Sequence, residues 1–403
     1  MSGALSGALS GALSGALSTQ QPAYDLKAWR GRMPLLARMI PMNNCSQAPQ
    51  TDATRAAAER YLDTWNRQGM DWDAWMAEAQ LAKRAFAALI NASVDEIAVF
   101  SSVSEATSAI ASALDFTAGR ATVVASEAEF PTIGHVWLAQ EPRGAQMTWV
   151  PVRDGLVHTA DYDAAITGDT AIVSACHGFY MNGGTQDLAA LAARAHAAGA
   201  LLYVDAYQTL GAVPVDVKAL DVDFLASGNL KYLMGVPGIA FMYVKRDLIE
   251  RLRPTVTGWF GRANPFAFDA KTLDWSNTAS RFDSGTPPIM NAYIARAGME
   301  LIHGIGVGAI RDWHTVLAQR LIDGGRARGL TLHGTTDIAH KTANTAFVVP
   351  DSHAVEMAMR KRGVLPSARG SVIRLAPHFY NTIDDVDAAL DAVVGALGDT
   401  GAL

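Results

Sequence analysis

The chain has 403 residues, long enough for two domains and a large core. Hydrophobic residues make up 50% and charged residues 18%, a globular composition, and the net charge of -6 leaves no basic surface for nucleic acid or an anionic membrane. No apolar run of about 18 residues predicts a membrane span. Cys45 and Cys176 form no CxxC pair or Cys/His cluster, so neither a disulfide framework nor a bound metal is expected and the chain reads as cytoplasmic.

Residues 2–17 repeat SGAL four times. The first 20 residues are read as a disordered low-complexity leader outside the fold. An N-terminal segment, 21–50, is expected to pack near a site; its stretch 34–50 is irregular and carries Asn44 and Cys45. Helical spacing runs over about 51–68 and 72–89, followed by a strand at 97–100. Ser101-Ser102-Val103-Ser104 then forms a hydroxyl-rich turn into a helix. Free N–H groups and the helix dipole make such a turn a phosphate seat, although Ser104 alone reads as an ordinary N-cap. A strand over 121–125 leads to Phe130, which is placed to stack on an aromatic ring or to pack in the core. Further strands are expected at 147–150 and 171–176, the latter ending at His177, a candidate ligand contact.

Leu201 to Val204 is an apolar run fitting a strand buried on both faces, and it ends in Asp205. An acid there would face a ligand crevice. A second apolar patch, 222–226, precedes Ser227-Gly228-Asn229-Leu230-Lys231. Each charge alone reads equally as a cap or a solvated group. Together, an acid and a lysine at two strand ends point to a pyridine cofactor. A lysine amine holds pyridoxal phosphate as a Schiff base, and a carboxylate keeps the ring nitrogen protonated. Gln208 is one turn past Asp205, within reach of the phenolic oxygen. A strand at 239–244 follows, then a long irregular segment, 253–287, of the kind that is usually functional.

Helices are expected over 289–325. The C-terminal part then alternates strand (345–349), helix (353–362), strand (372–376) and helix (383–397), a small α/β domain. Arg374 lies inside an apolar strand, and a buried arginine needs an anion such as a substrate carboxylate. The spacing Gly304-x-Gly306-x-Gly308 lacks a preceding strand and is not read as a dinucleotide site.

Several motifs together resemble the class V aminotransferase family of fold-type I pyridoxal phosphate enzymes, over about 35–395. Asp205-Ala-Tyr-Gln208 is similar to the family's D-x-x-Q/H element, and Lys231 follows 26 residues after Asp205. The EFPT and GWFGR stretches resemble kynureninases, and RFDSGTPP resembles the family's RFExGTP. Arg374-Leu-Ala-Pro-His-Phe-Tyr-Asn-Thr is similar to its carboxylate-gripping arginine motif. The cysteine desulfurase and isopenicillin N epimerase branches are also close.

The resemblance implies an α/β fold: a large cofactor domain (51–288) with a mostly parallel seven-stranded sheet sandwiched by helices, and a small C-terminal α/β domain (289–403). It implies pyridoxal 5'-phosphate as cofactor, with Lys231 as the Schiff-base and proton-shuttling residue. Val103, Ser104, Phe130, Asp205, Gln208, Ser227, Trp259 and Thr286 would hold the cofactor, and Arg374, Asn44 and His177 the amino acid substrate. Thr286 would come from a neighbouring subunit, making the protein a homodimer with sites at the interface. The implied chemistry passes through an external aldimine and a carbanion. The favoured outcome is a lyase breaking a bond at the β or γ carbon; aminotransfer, epimerisation and a non-catalytic cofactor-binding protein are the alternatives. Two positions depart from the family pattern. Leu230 stands where a His or Tyr often precedes the lysine, so the phosphate contact shifts to Ser227 or Asn229 or is lost. The 363–371 stretch has Ser367 where desulfurases carry a reactive cysteine, which leaves Cys45 as the thiol to consider.

Overall fold

The computed structural model describes residues 21–117 and 119–399; the SGAL leader lies outside them. The main sheet is built from β1 (Ile97–Phe100), β2 (Thr122–Ser126), β3 (Gln146–Val150), β4 (Thr170–Cys176), β5 (Leu201–Asp205), β6 (Phe224–Gly228) and β7 (Ala240–Val244). Its order is β1-β7-β6-β5-β4-β2-β3, and only β7 runs antiparallel, to β1 and β6. The central strands are continuously apolar because both faces are covered, so Val204, Leu225 and Phe241 are fully buried.

The helices α1 (Asp52–Gln68), α2 (Trp72–Leu89) and α3 (Val103–Ala113) start where the sequence supplies caps. Thr51 and Thr54 make a reciprocal capping box, Asp71 takes the Ala74 N–H, and Ser102 takes the Glu105 N–H. The helical stretch expected over 289–325 is two helices, α4 (Ile289–Ile305) and α5 (Val307–Ala327). Gly306 breaks it at φ 91°, a conformation glycine tolerates, which accounts for the glycine spacing there. Helix α4, expected with the C-terminal part, packs against α1 and α2 on the main-sheet side.

A second sheet, all antiparallel, holds β8 (Leu332–His333), β9 (Thr345–Val348), β10 (Ser367–Arg369) and β11 (Val372–Leu375) in the order β10-β11-β9-β8. Strands β8 and β10 are too short and too polar for the apolar pattern to reveal. The N-terminal segment ties the two sheets together. Ile40–Pro41 pairs in parallel with Val364–Leu365, Asn44 N–H donates to Ala376 O, and Ala48 N–H donates to Leu230 O beside Lys231. Among the described residues, no helix is long and apolar enough to cross a membrane.

Candidate active site

A cavity of about 400 Å³ opens where the C-terminal ends of β5 and β6 meet the small sheet and the N-terminal segment. A crevice beyond the carboxyl ends of parallel strands is where this class of sheet binds ligands. Asp205 ends β5, and its Oδ1 accepts the Tyr207 N–H at 2.9 Å. Strand β6 lies alongside, with Asp205 opposite Ala226, and releases the chain through Gly228 to Lys231. Gly228 is needed for a close approach: a Cβ there would fall 2.1 Å from the Tyr207 ring.

That ring forms one wall for Lys231, whose Nζ sits 4.2 Å from the Tyr207 centroid and 5.7 Å from that of Phe130. No hydrogen-bond partner for this amine occurs among the described residues. Burial lowers its pKa to about 8, against the opposing pull of Asp205 and Cys45, while Arg374 and Arg369 push it down further. Burial raises Asp205 above the usual carboxylate range, while the Tyr207 N–H and Lys231 hold it down. Glu129 is also buried and lacks a cationic partner; burial and Asp205 push it well upward.

Val103, Ser104, Phe130, Asp205, Gln208, Lys231 and Arg374 all line this one cavity. Val103 and Ser104 sit in the first turn of α3, where N–H groups lack helical partners. The Ser104 hydroxyl contacts that of Thr132 at 2.8 Å. Phe130 is 41% exposed, an unusual state for a phenylalanine in a cleft, and meets Tyr180 edge-on. Gln208 donates to Cys45 O at 3.0 Å, and its buried Oε1 has no partner. Arg374 is 1% exposed with no carboxylate partner among the described residues. Its donors go to Tyr180 O (2.6 Å), Ser46 Oγ (3.2 Å) and Ser367 Oγ (2.5 Å).

Five expected contacts are not brought to the cavity wall. Asn44 is buried and its amide donates to Ala376 O and Tyr380 Oη; its neighbours Cys45 and Ser46 face the cavity instead. His177 turns into the protein with Nδ1 unpartnered, and burial and Arg311 lower its pKa to about 4; Cys176 and Gly178 line the wall on either side. Ser227 is buried and its hydroxyl donates to Gly228 O. Trp259 lies in a separate groove with Gly258 and Phe268, its Nε1 donating to Pro265 O at 2.6 Å. Thr286 is exposed, away from this chain's own cavity.

The structure also adds residues. Tyr207, inside the D-x-x-Q element, could have been flagged as an aromatic beside an expected ring. Tyr180, Thr132, Ser46 and Arg369 carried no comparable signal. Among the described residues, no group of three or more His, Cys, Asp and Glu could hold a metal ion.

The fit to a pyridine ring with a phosphate is physical: a free amine, an acid, an exposed aromatic face, an orphaned amide oxygen and a first turn with free N–H groups share one enclosure. The sequence matches Aminotransferase class-V over residues 51–388. It is 34% identical over 368 residues to "Uncharacterized aminotransferase YcbU" of Bacillus subtilis, covering 91% of this chain and 96% of that protein. It is 31% identical over 210 residues to a kynureninase of Pseudomonas fluorescens (51% of this chain, 50% of that one). It is 28% identical over 334 residues to a probable cysteine desulfurase of Methanothermobacter thermautotrophicus (76% and 80%). The fold is similar to that of the apo cysteine desulfurase from Thermococcus onnurineus, with TM-score 0.84, 21% identity and coverage of 95% and 100%. The chain belongs to the class V aminotransferase family of pyridoxal phosphate enzymes, related to kynureninase and cysteine desulfurase.

Proposed function

We propose that the protein is a lyase that breaks a bond at the β or γ carbon of an α-amino acid, C–S or C–C, and that it works as a homodimer. One observation carries the reading: the unpartnered Lys231 amine faces the same cavity as Asp205 and the uncompensated guanidinium of Arg374. Val103 and Ser104 N–H groups would seat the phosphate, Phe130 would flank the ring, Asp205 would meet its nitrogen and Gln208 its phenolic oxygen. When bound, the cofactor supplies an electron sink for charge developing at the substrate's Cα.

The chain's own residues do the rest. Arg374, flanked by the Ser46 and Ser367 hydroxyls, grips the α-carboxylate and fixes one Cα bond toward Lys231. With its pKa near 8, Lys231 can take the Cα proton near neutral pH and return it at a later step. Tyr207 and Phe130 wall the amine and limit the water around it. Departure of a group from the β or γ carbon completes the reaction.

The EFPT and GWFGR stretches and the kynureninase and desulfurase relatives support a lyase by family likeness. The 363–371 stretch supplies no thiol for a persulfide relay, and the Ser367 hydroxyl is engaged with Arg374. Cys45 and Cys176 both line the cavity, and Cys45 is next to Ser46, whose hydroxyl Arg374 contacts. The nearly full-length likeness to a protein named as an aminotransferase keeps aminotransfer as the second reading.

A spectral screen of amino acids against the holoenzyme tests the proposal, with products assayed for pyruvate, alanine, sulfide or an inverted stereocentre. Absorption near about 420 nm that shifts with substrate is expected. Amino-group transfer to a keto acid, without cleavage, would replace the lyase reading by the second. Lys231→Ala should abolish turnover, and normal turnover by that variant would end the assignment. A protein whose colour no amino acid alters would be a binding protein.

A further inference from the structure

Arg369 stands on the same hairpin as Arg374 and lines the same cavity, yet the mechanism above gives it nothing to do. In the register of β10 against β11, Ser367 lies opposite Arg374 and Arg369 opposite Val372, next to the turn. Arg374 is therefore sunk in the wall while Arg369 stays exposed at the rim. Its guanidinium makes no hydrogen bond or ion pair among the described residues. Glu356, whose carboxylate accepts the Ala368 N–H on this hairpin, is already paired with Arg360.

The cavity wall carries Lys231, Arg369 and Arg374 besides Asp205. With the α-carboxylate on Arg374 and the cofactor's phosphate on the Val103 and Ser104 N–H groups, as proposed above, Arg369 is the guanidinium of the wall left without an assigned anion. An unmatched guanidinium on a ligand cavity favours an anion, and its planar fork suits a carboxylate or a sulfinate.

We propose that Arg369 is a specificity-determining residue that receives a second acidic group, so that the substrate is an amino acid with an anionic side chain. The inference rests on the reading of the cavity as an amino acid site. It adds which amino acids enter: acidic ones ahead of their neutral isosteres.

The test pairs aspartate with asparagine and glutamate with glutamine, titrated into the holoenzyme and read by the change in visible absorption. One acidic member should bind at least about tenfold tighter than its isostere, the gain from a charge-assisted hydrogen bond. Arg369→Gln should bring that acidic member down to the level of the isostere. Calorimetry with unreactive succinate and glutarate against butyrate gives a second readout that needs no turnover, and the dicarboxylates should bind better to wild type alone. Equal binding within both pairs, or a preference that survives Arg369→Gln, overturns the proposal. A variant that weakens cofactor retention while keeping the preference would mean that Arg369 serves the phosphate instead. If no amino acid changes the spectrum, the amino acid site itself has failed, and that outcome differs from the equal shifts that would defeat Arg369 alone.

Discussion

Lys231 is held in a state that favours chemistry over stability, and the conflict can be measured in the cofactor-free protein. Its pKa falls from 10.5 to about 8, chiefly through burial. At pH 7.5 roughly a quarter of such amines are neutral, against about one in a thousand for a free lysine, a gain of about 250-fold in the reactive form. The same shift destabilises the fold. A change of about 2.5 units corresponds to about 3.4 kcal/mol, and screening by water in the cavity brings this to roughly 2–3 kcal/mol. The sign follows from proton uptake. Between pH 8 and 10.5 the unfolded chain binds this proton and the folded chain does not, so stability rises with pH across that window and is flat below it. Lys341, also buried and lowered to about 7, adds a similar rise, so the informative quantity is a difference between variants. Lys231→Met keeps most of the side-chain volume and removes the proton. Urea unfolding of the two apo-proteins should show the variant more stable by about 2–3 kcal/mol at pH 7, with the gap closing toward pH 10.5. A gap that is absent, or constant over that range, would refute the claim that the amine is buried without a compensating partner.

The other predictions concern the frame around the site. Lys83 and Asp283 form a buried ion pair at 2.7 Å, and the other Asp283 oxygen accepts the Val99 N–H at 2.7 Å, which ties the RFDSGTPP segment to the edge strand β1. Lys83→Met leaves that carboxylate buried and unpaired and should cost about 3–5 kcal/mol in urea unfolding; a loss below about 1 kcal/mol would show the pair to be dispensable. Beside Trp259, Phe266, Phe268 and Leu273 are 50%, 75% and 50% exposed, the apolar surface a second copy of the chain would cover. Light scattering should find a dimer at micromolar protein, with Phe268→Asp raising the monomer fraction at least about tenfold in dissociation constant; a monomeric wild type would remove the second subunit from the site.

What the sequence disclosed follows from how buried strands are written. Parallel strands covered on both faces are continuous apolar runs, so β5 and β6 were legible, and so was the polar group released at the end of each. Arg374 was legible for the opposite reason, as a charge where the run required none. Two of the five contacts that miss the cavity wall do so by one residue. Asn44 was named and Cys45 and Ser46 face the cavity; His177 was named and its neighbours Cys176 and Gly178 do. Sequence locates the segment, but which side a loop residue presents depends on backbone angles set by partners far along the chain, here Ala376 for Asn44 and Asp205 for His177. Arg369 was missed because β10 is three residues long and its burial changes along its length, buried at Ser367 and exposed at Arg369, with no apolar signature. The contrast comes from the pairing with β11, which sets Ser367 opposite Arg374 and Arg369 opposite Val372. The two arginines therefore differ in role by register rather than by residue type: the one sunk beside Ser367 suits the carboxylate every amino acid shares, and the one at the rim suits the group that distinguishes one amino acid from another.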